Sequence, residues 1–147
     1  MKLKKMKSIK FLYITFISII LFANSSNAQN FFDEAKKKYE EKKYEESKFL
    51  FQRNIVFNPK DAKSYLYLAK IFENEENEGE QIKNINTTLL LEPNNEEAMF
   101  ILIKYELKKS NYTRVKELKD SFSMICTNLC KEKKKYRRVF KRYRTTR

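Results

Sequence analysis

The feature that most constrains this chain is a recurrence at 34 residues. Its two prolines, Pro59 and Pro93, lie 34 apart, each behind a run that turns from polar to apolar, FQRNIVFNP and QIKNINTTLLLEP. Ala35, Ala69 and Ile103 follow the same step, as do Phe31, Tyr65 and Met99. Tyr44 and Tyr112 differ by 68, two steps, and open similar segments, YEESKFLF and YTRVKELK. A fixed period of this length marks a stacked repeat. One unit cannot bury its apolar face alone, so three stacked units share a continuous core.

Local chemistry says what the unit is made of. Tyr65, Leu68, Ala69 and Phe72 are spaced 3, 1 and 3, one face of a 3.6-residue period. The small residue lets two helices approach while the large ones fill around it. Pro59 and Pro93 cannot continue a helix, and they push Asn58 and Glu92 toward extended backbone. Asp61 and either Asn94 or Asn95 then stand as N-caps, with Glu96 and Glu97 suited to the positive end of the helix that follows. A single glycine, Gly79, and an abundance of Lys, Glu, Leu and Ile favour helix nearly throughout.

A small or apolar residue at a fixed site and a proline closing the unit, repeated every 34 residues, resemble the tetratricopeptide repeat, over Phe31 to about Ile125. The second unit matches best: Tyr65, Leu68, Ala69 and Phe72 fall at the family's first-helix sites, and Ile85, Thr88 and Pro93 at those of the second. The first unit matches in its second helix, through Tyr44, Glu45, Glu46, Ser47, Phe51 and Pro59, while Glu34 and Lys38 stand at usually apolar sites. The third keeps Leu102 and Tyr112 but puts Ile103 at the small site and Lys119 at an aromatic one. The resemblance implies an all-α solenoid of about three helix–turn–helix units, closed by a basic C-terminal capping helix.

It also implies a binding face, because the family lines its inner surface with the first helix of each unit. The corresponding residues are Phe32, Lys36 and Tyr39; Lys63, Leu66, Lys70 and Glu73; and Phe100, Lys104 and Lys108. Two ladders step by 34, one apolar (Phe32, Leu66, Phe100) and one cationic (Lys36, Lys70, Lys104). The expected activity is that of a scaffold holding a protein or peptide partner, with acidic groups meeting the lysines. The competing reading is that the lysines are ordinary solvated residues and the aromatic rings pack on neighbouring helices. The asparagine-rich clamp of the family's chaperone-tail binders is not evident, since lysine occupies those sites.

Composition excludes several chemistries. One glycine cannot build a phosphate-cradling loop, and the absence of histidine removes the commonest general base and zinc ligand. No catalytic site, metal or cofactor is expected. The formal charge of +13 is unevenly spread: residues 1–28 contribute +5, residues 29–130 only −1, and residues 131–147 +9. The folded body is therefore near neutral, and the basicity belongs to the ends.

MKLKKMKSIK, the 13-residue apolar run Phe11–Ala23 and Ser26-x-Ala28 form the three-part secretory pattern, so cleavage is expected after Ala28. The alternative is an uncleaved membrane anchor, although a spanning helix needs about 20 apolar residues. The expected organisation is a signal peptide at 1–28, the repeats at 29–126 and a basic segment at 127–147, in a periplasmic or extracellular compartment. In the basic segment Leu129, Tyr136, Val139, Phe140 and Tyr143 make an apolar stripe. It reads either as a solvating cap or as a surface for anionic membrane lipid, polysaccharide or nucleic acid. Cys126 and Cys130 are four apart. A disulfide there needs a helix end near Thr127-Asn128; otherwise the two thiols are small buried hydrophobes.

Overall fold

The structure, a computed structural model, describes residues 27–131. The expected n- and h-regions and the basic stretch beyond Lys131 lie outside those residues. Among the described residues there are seven helices and no strand: α1 (Asn27–Glu40), α2 (Tyr44–Phe57), α3 (Ala62–Asn74), α4 (Glu78–Leu91), α5 (Glu96–Lys108), α6 (Tyr112–Ile125) and the short α7 (Asn128–Lys131). The starts of α2, α4 and α6 fall 34 residues apart, as do those of α3 and α5. Helices pack as three pairs, α1 on α2, α3 on α4 and α5 on α6, and α2–α3 and α4–α5 join the pairs. The all-α solenoid of three repeated units is therefore the fold. Among the described residues no helix is long and apolar enough to cross a membrane.

Each pair turns in the same way. Lys42, Glu76 and Ser110, again 34 apart, take positive φ angles of 60°, 58° and 57°. The following amide reaches back five residues: Lys43 N–H to Lys38 O, Asn77 N–H to Phe72 O and Asn111 N–H to Glu106 O, at 2.9 Å each. This is the Schellman stop, which glycine usually provides because it carries no Cβ. The next helix is then capped in two of the three units. The Asn77 and Asn111 side chains accept from Glu80 N–H and Arg114 N–H, whereas Lys43 caps with no side chain.

The apolar faces meet in two clusters, and α3 belongs to both. Leu68, Ile71 and Phe72 face Ala35 and Phe51, while Leu66 and Ala69 join Ile85, Phe100, Ile103, Val115 and Phe122. The stacking site keeps its burial in every unit: Ala35, Ala69 and Ile103 are fully covered. Asn95 caps α5 as expected, accepting from Ala98 N–H at 3.0 Å. Asp61 stands at the cap position of α3 but turns its carboxylate elsewhere. Its Oδ2 accepts from Asn54 Nδ2 (2.8 Å) and from Ser64 Oγ (2.6 Å), and the same Asn54 nitrogen donates to Ser64 Oγ (2.9 Å). This polar trio closes the seam between α2 and α3.

Candidate functional site

Three adjoining recesses run along the first helices of the pairs. The largest, about 880 Å³, lies between α3, the α4–α5 turn and α7, with Lys63, Leu66, Tyr67, Lys70, Glu97 and Leu129 in its wall. A second, about 260 Å³, shares Lys70, Glu97 and Leu129 and adds Tyr39, Glu73, Phe100 and Lys104. A third, about 390 Å³, shares Glu73 and Lys104 and runs on to Glu78, Tyr105 and Lys108. Shared walls make these one groove, reached by all three pairs.

Of the residues expected on a binding face, Tyr39, Lys63, Leu66, Lys70, Phe100, Lys104 and Lys108 line this groove; Phe32 and Lys36 do not. The structure corrects the idea of an exposed apolar stripe. Leu66 is 7% exposed and Phe100 4%, so both belong to the core and offer the groove only a floor. Phe32 packs edge-on against Phe51 and Tyr67, with ring centres 5.6 and 5.9 Å away. The reason is that each inner helix is flanked by helices on more than one side, so a side chain one position off the main apolar face is still covered.

The cationic ladder is corrected in a different way. Lys36 and Lys104 are exposed and Lys70 is half-buried, and each has a carboxylate. Lys70 pairs with Glu97 at 2.8 Å, Lys104 with Glu73 at 3.1 Å and Lys36 with Glu40 at 3.9 Å. Lys108 and Lys109 both bind Glu78, and their hydrogen bonds hold its carboxyl well below the usual carboxylate range. Lys70 also lies over the Tyr67 ring, 4.7 Å from its centre. Burial raises the phenol pKa of Tyr39 and Tyr67, so both stay neutral donors at the groove edge. The groove is thus a lattice of alternating charge with aromatic edges, not a cationic strip. Sequence reasoning left Tyr67 and Glu97 out of the face. A signal existed for Glu97, which stands one period after Lys63 and places a negative charge where the previous unit has a positive one.

One end of the groove is closed by a clip. Glu96, in the first turn of α5, accepts from the hydroxyl of Thr127 (2.6 Å) and from the backbone N–H groups of Thr127 (2.7 Å), Asn128 (3.1 Å) and Leu129 (2.9 Å). Burial of the carboxyl opposes its ionisation, but the Thr127 hydroxyl and these backbone donors outweigh it and hold the pKa at about 2. The first amides of α7, otherwise without acceptors, thereby receive a fixed negative charge. Beside it, Cys126 and Cys130 form a disulfide with Cα atoms 5.6 Å apart, bridging the break between α6 and α7. Among the described residues no three Cys, Asp or Glu side chains gather as a metal site.

No protein-family description and no curated protein matches the sequence. Solved structures do match the fold. The TPR2B domain of yeast Sti1, in its pHsp70 complex, superimposes with a TM-score of 0.71 at 17% identity, over 84% of this chain and 100% of that one. The Yersinia enterocolitica type III secretion chaperone SycD, in complex with a peptide of the translocator YopD, gives 0.69 at 16% identity, over 83% and 93%. The first TPR domain of Spaghetti (RPAP3), bound to an HSP90 peptide, gives 0.66 at 12% identity, over 80% and 94%.

Proposed function

From a chain with the tetratricopeptide-repeat fold, we propose a protein-interaction scaffold that holds an extended or helical segment of a protein partner in the groove from Lys63 to Lys108. The observation that carries this reading is the continuity of that groove. Side chains of α1, α3 and α5 line it, so one peptide can touch all three units at once. Three of the matched structures are complexes with a peptide or a protein partner, which supports the same use here. The charge lattice favours a segment carrying both signs, able to exchange with the Lys70–Glu97 and Lys104–Glu73 pairs. Exposed pairs of this kind are worth under about 1 kcal/mol each, so such exchange costs little.

The reading places this work outside the cytoplasm. Its supports are the three-part amino-terminal pattern and the paired cysteines at 126 and 130. The test is a selection of displayed peptides on the immobilised chain, followed by titration against variants. Lys63→Glu with Lys104→Ala, both exposed groove residues, is expected to weaken the selected peptides about tenfold or more with little change in melting temperature. Val56→Ser with Leu90→Ser changes exposed residues on the second helices and is expected to change nothing. Peptides that lose affinity only to the second pair would place binding on the other face and overturn the proposal.

A further inference from the structure

The groove has an occupant available within the chain. Asn128 and Leu129 of α7 form part of its wall, and Lys131, two residues further, is the last described residue, so the segment 132–147 is tethered beside the groove. Those residues, EKKKYRRVFKRYRTTR, carry nine Lys or Arg against one Glu, net +8. The groove lining holds four lysines and six glutamates; with Glu96 taken by the clip and Glu78 by Lys108 and Lys109, Glu73, Glu76, Glu92 and Glu97 remain beside Lys63, Lys70 and Lys104, a small acidic excess. Tyr136, Val139, Phe140 and Tyr143, spaced 3, 1 and 3, supply one apolar side that matches a floor made by Leu66 and Phe100.

We propose that residues 132–147 fold back into the groove as a built-in competitor, which a partner must displace. This rests on the groove being the binding site. Sixteen residues reach about 24 Å as a helix, enough to pass two inter-pair spacings of about 10 Å. Arginine improves on the resident lysines, because a guanidinium can fork onto Glu73 or Glu97 while an ammonium meets them as a point charge. A short tether also gives the segment an effective concentration of about millimolar, so modest affinity is enough to fill the groove. The occupied state is then salt-sensitive, since its main attraction is between partly exposed charges.

Zero-length carbodiimide cross-linking tests this on the full chain. The reagent joins a lysine amine to a carboxylate in contact with it, with loss of water, and the joined peptides are read by mass spectrometry from the monomer band. Lys141 or the lysines at 133–135 are expected to join Glu73 or Glu97, several-fold less at about 0.5 M salt. Joins to the outer-helix acids Glu45 or Glu117 alone, or joins found only in dimers, overturn the proposal. A second measurement uses a labelled synthetic peptide of residues 132–147. The three helix pairs, the Glu96 clip and the disulfide all lie within residues 27–131, so a chain stopped after Lys131 keeps its core. That shortened chain is expected to bind the peptide about tenfold more tightly than the full chain does. Glu73→Lys with Glu97→Lys is expected to abolish the difference. Equal binding to both chains sinks the competitor. If selected peptides still occupy the groove in that case, the scaffold reading survives; if no peptide binds there, both fail.

Discussion

Replacing Glu76 by glycine is expected to stabilise the protein, although it deletes an entire side chain. Glu76 holds φ at 58°, where its Cβ crowds the following carbonyl. That crowding costs a non-glycine residue roughly 1–2 kcal/mol. Glycine removes it but gives back roughly 0.5–1 kcal/mol through the greater freedom of the unfolded chain. The net gain is about 0.5–1 kcal/mol. Glu76 is exposed and makes no ion pair among the described residues, so little is lost with it. Lys42 and Ser110 occupy the same turn in the other pairs, with φ of 60° and 57°. The three sites share no partner, so Lys42→Gly, Glu76→Gly and Ser110→Gly should add to about 1.5–3 kcal/mol. For a chain of this size that is about 5–12 °C in melting temperature, read by circular dichroism and checked by the urea midpoint. Two controls fix the cause. Glu76→Ala keeps the Cβ and should gain nothing. Asn74→Gly, two residues earlier at the end of α3, should lose up to about 1 kcal/mol. If Glu76→Gly is no more stable than Glu76→Ala, the strain reasoning is refuted.

Three further outcomes are expected. Lys43→Asn gives α2 the side-chain cap that Asn77 and Asn111 give α4 and α6, and should add about 1 kcal/mol in urea denaturation. Glu96→Gln should cost about 1–2 kcal/mol at neutral pH, after allowance for solvent around a partly exposed carboxyl. Because the folded pKa of Glu96, about 2, lies below the ordinary value of 4.5, its contribution is complete above that value and is lost as pH falls toward 2. The urea midpoints of the two proteins should therefore converge in acid; a constant gap would mean the charge is not what holds α7. Ser64→Ala removes a buried hydroxyl that both Asn54 and Asp61 use, and should lower the melting midpoint by the equivalent of about 1–2 kcal/mol.

The helix pairs were legible because proline, the small stacking residue and the aromatic sites recur at one interval, and helix starts follow that interval. The third unit shows how far the reading reaches. Ile103 stands where the other units have alanine, yet it is fully buried like them. Less legible was which first-helix residues face solvent. Period arithmetic places Leu66 and Phe100 at one phase but does not say how many helices surround that phase. The carboxylates paired with Lys70 and Lys104 come from other helices, so no local spacing announces them. The turn residues Lys42, Glu76 and Ser110 carry no glycine signal, and the one glycine, Gly79, sits inside α4 instead. Glu96 meets Thr127, Asn128 and Leu129 across 31 to 33 residues, a separation that only the folded stack brings together.

The seam between α2 and α3 bears on how such an array can be lengthened. One period after Asn54, Asp61 and Ser64 stand Thr88, Asn95 and Ala98. At the later seam Thr88 donates to Asn84 O of its own helix at 2.9 Å, and Asn95 accepts from Ala98 N–H, so no polar trio crosses from one pair to the next. The units thus carry unlike edges, as tiles do when each is cut for one neighbour. A chain made by duplicating the middle unit would set the Thr88 edge against Asp61 and Ser64, which would lack the amide of Asn54. Growth by copying the middle unit is therefore penalised at the new seam between the two copies, while both original seams keep their partners, and the order of the three pairs is set by chemistry as well as by connectivity.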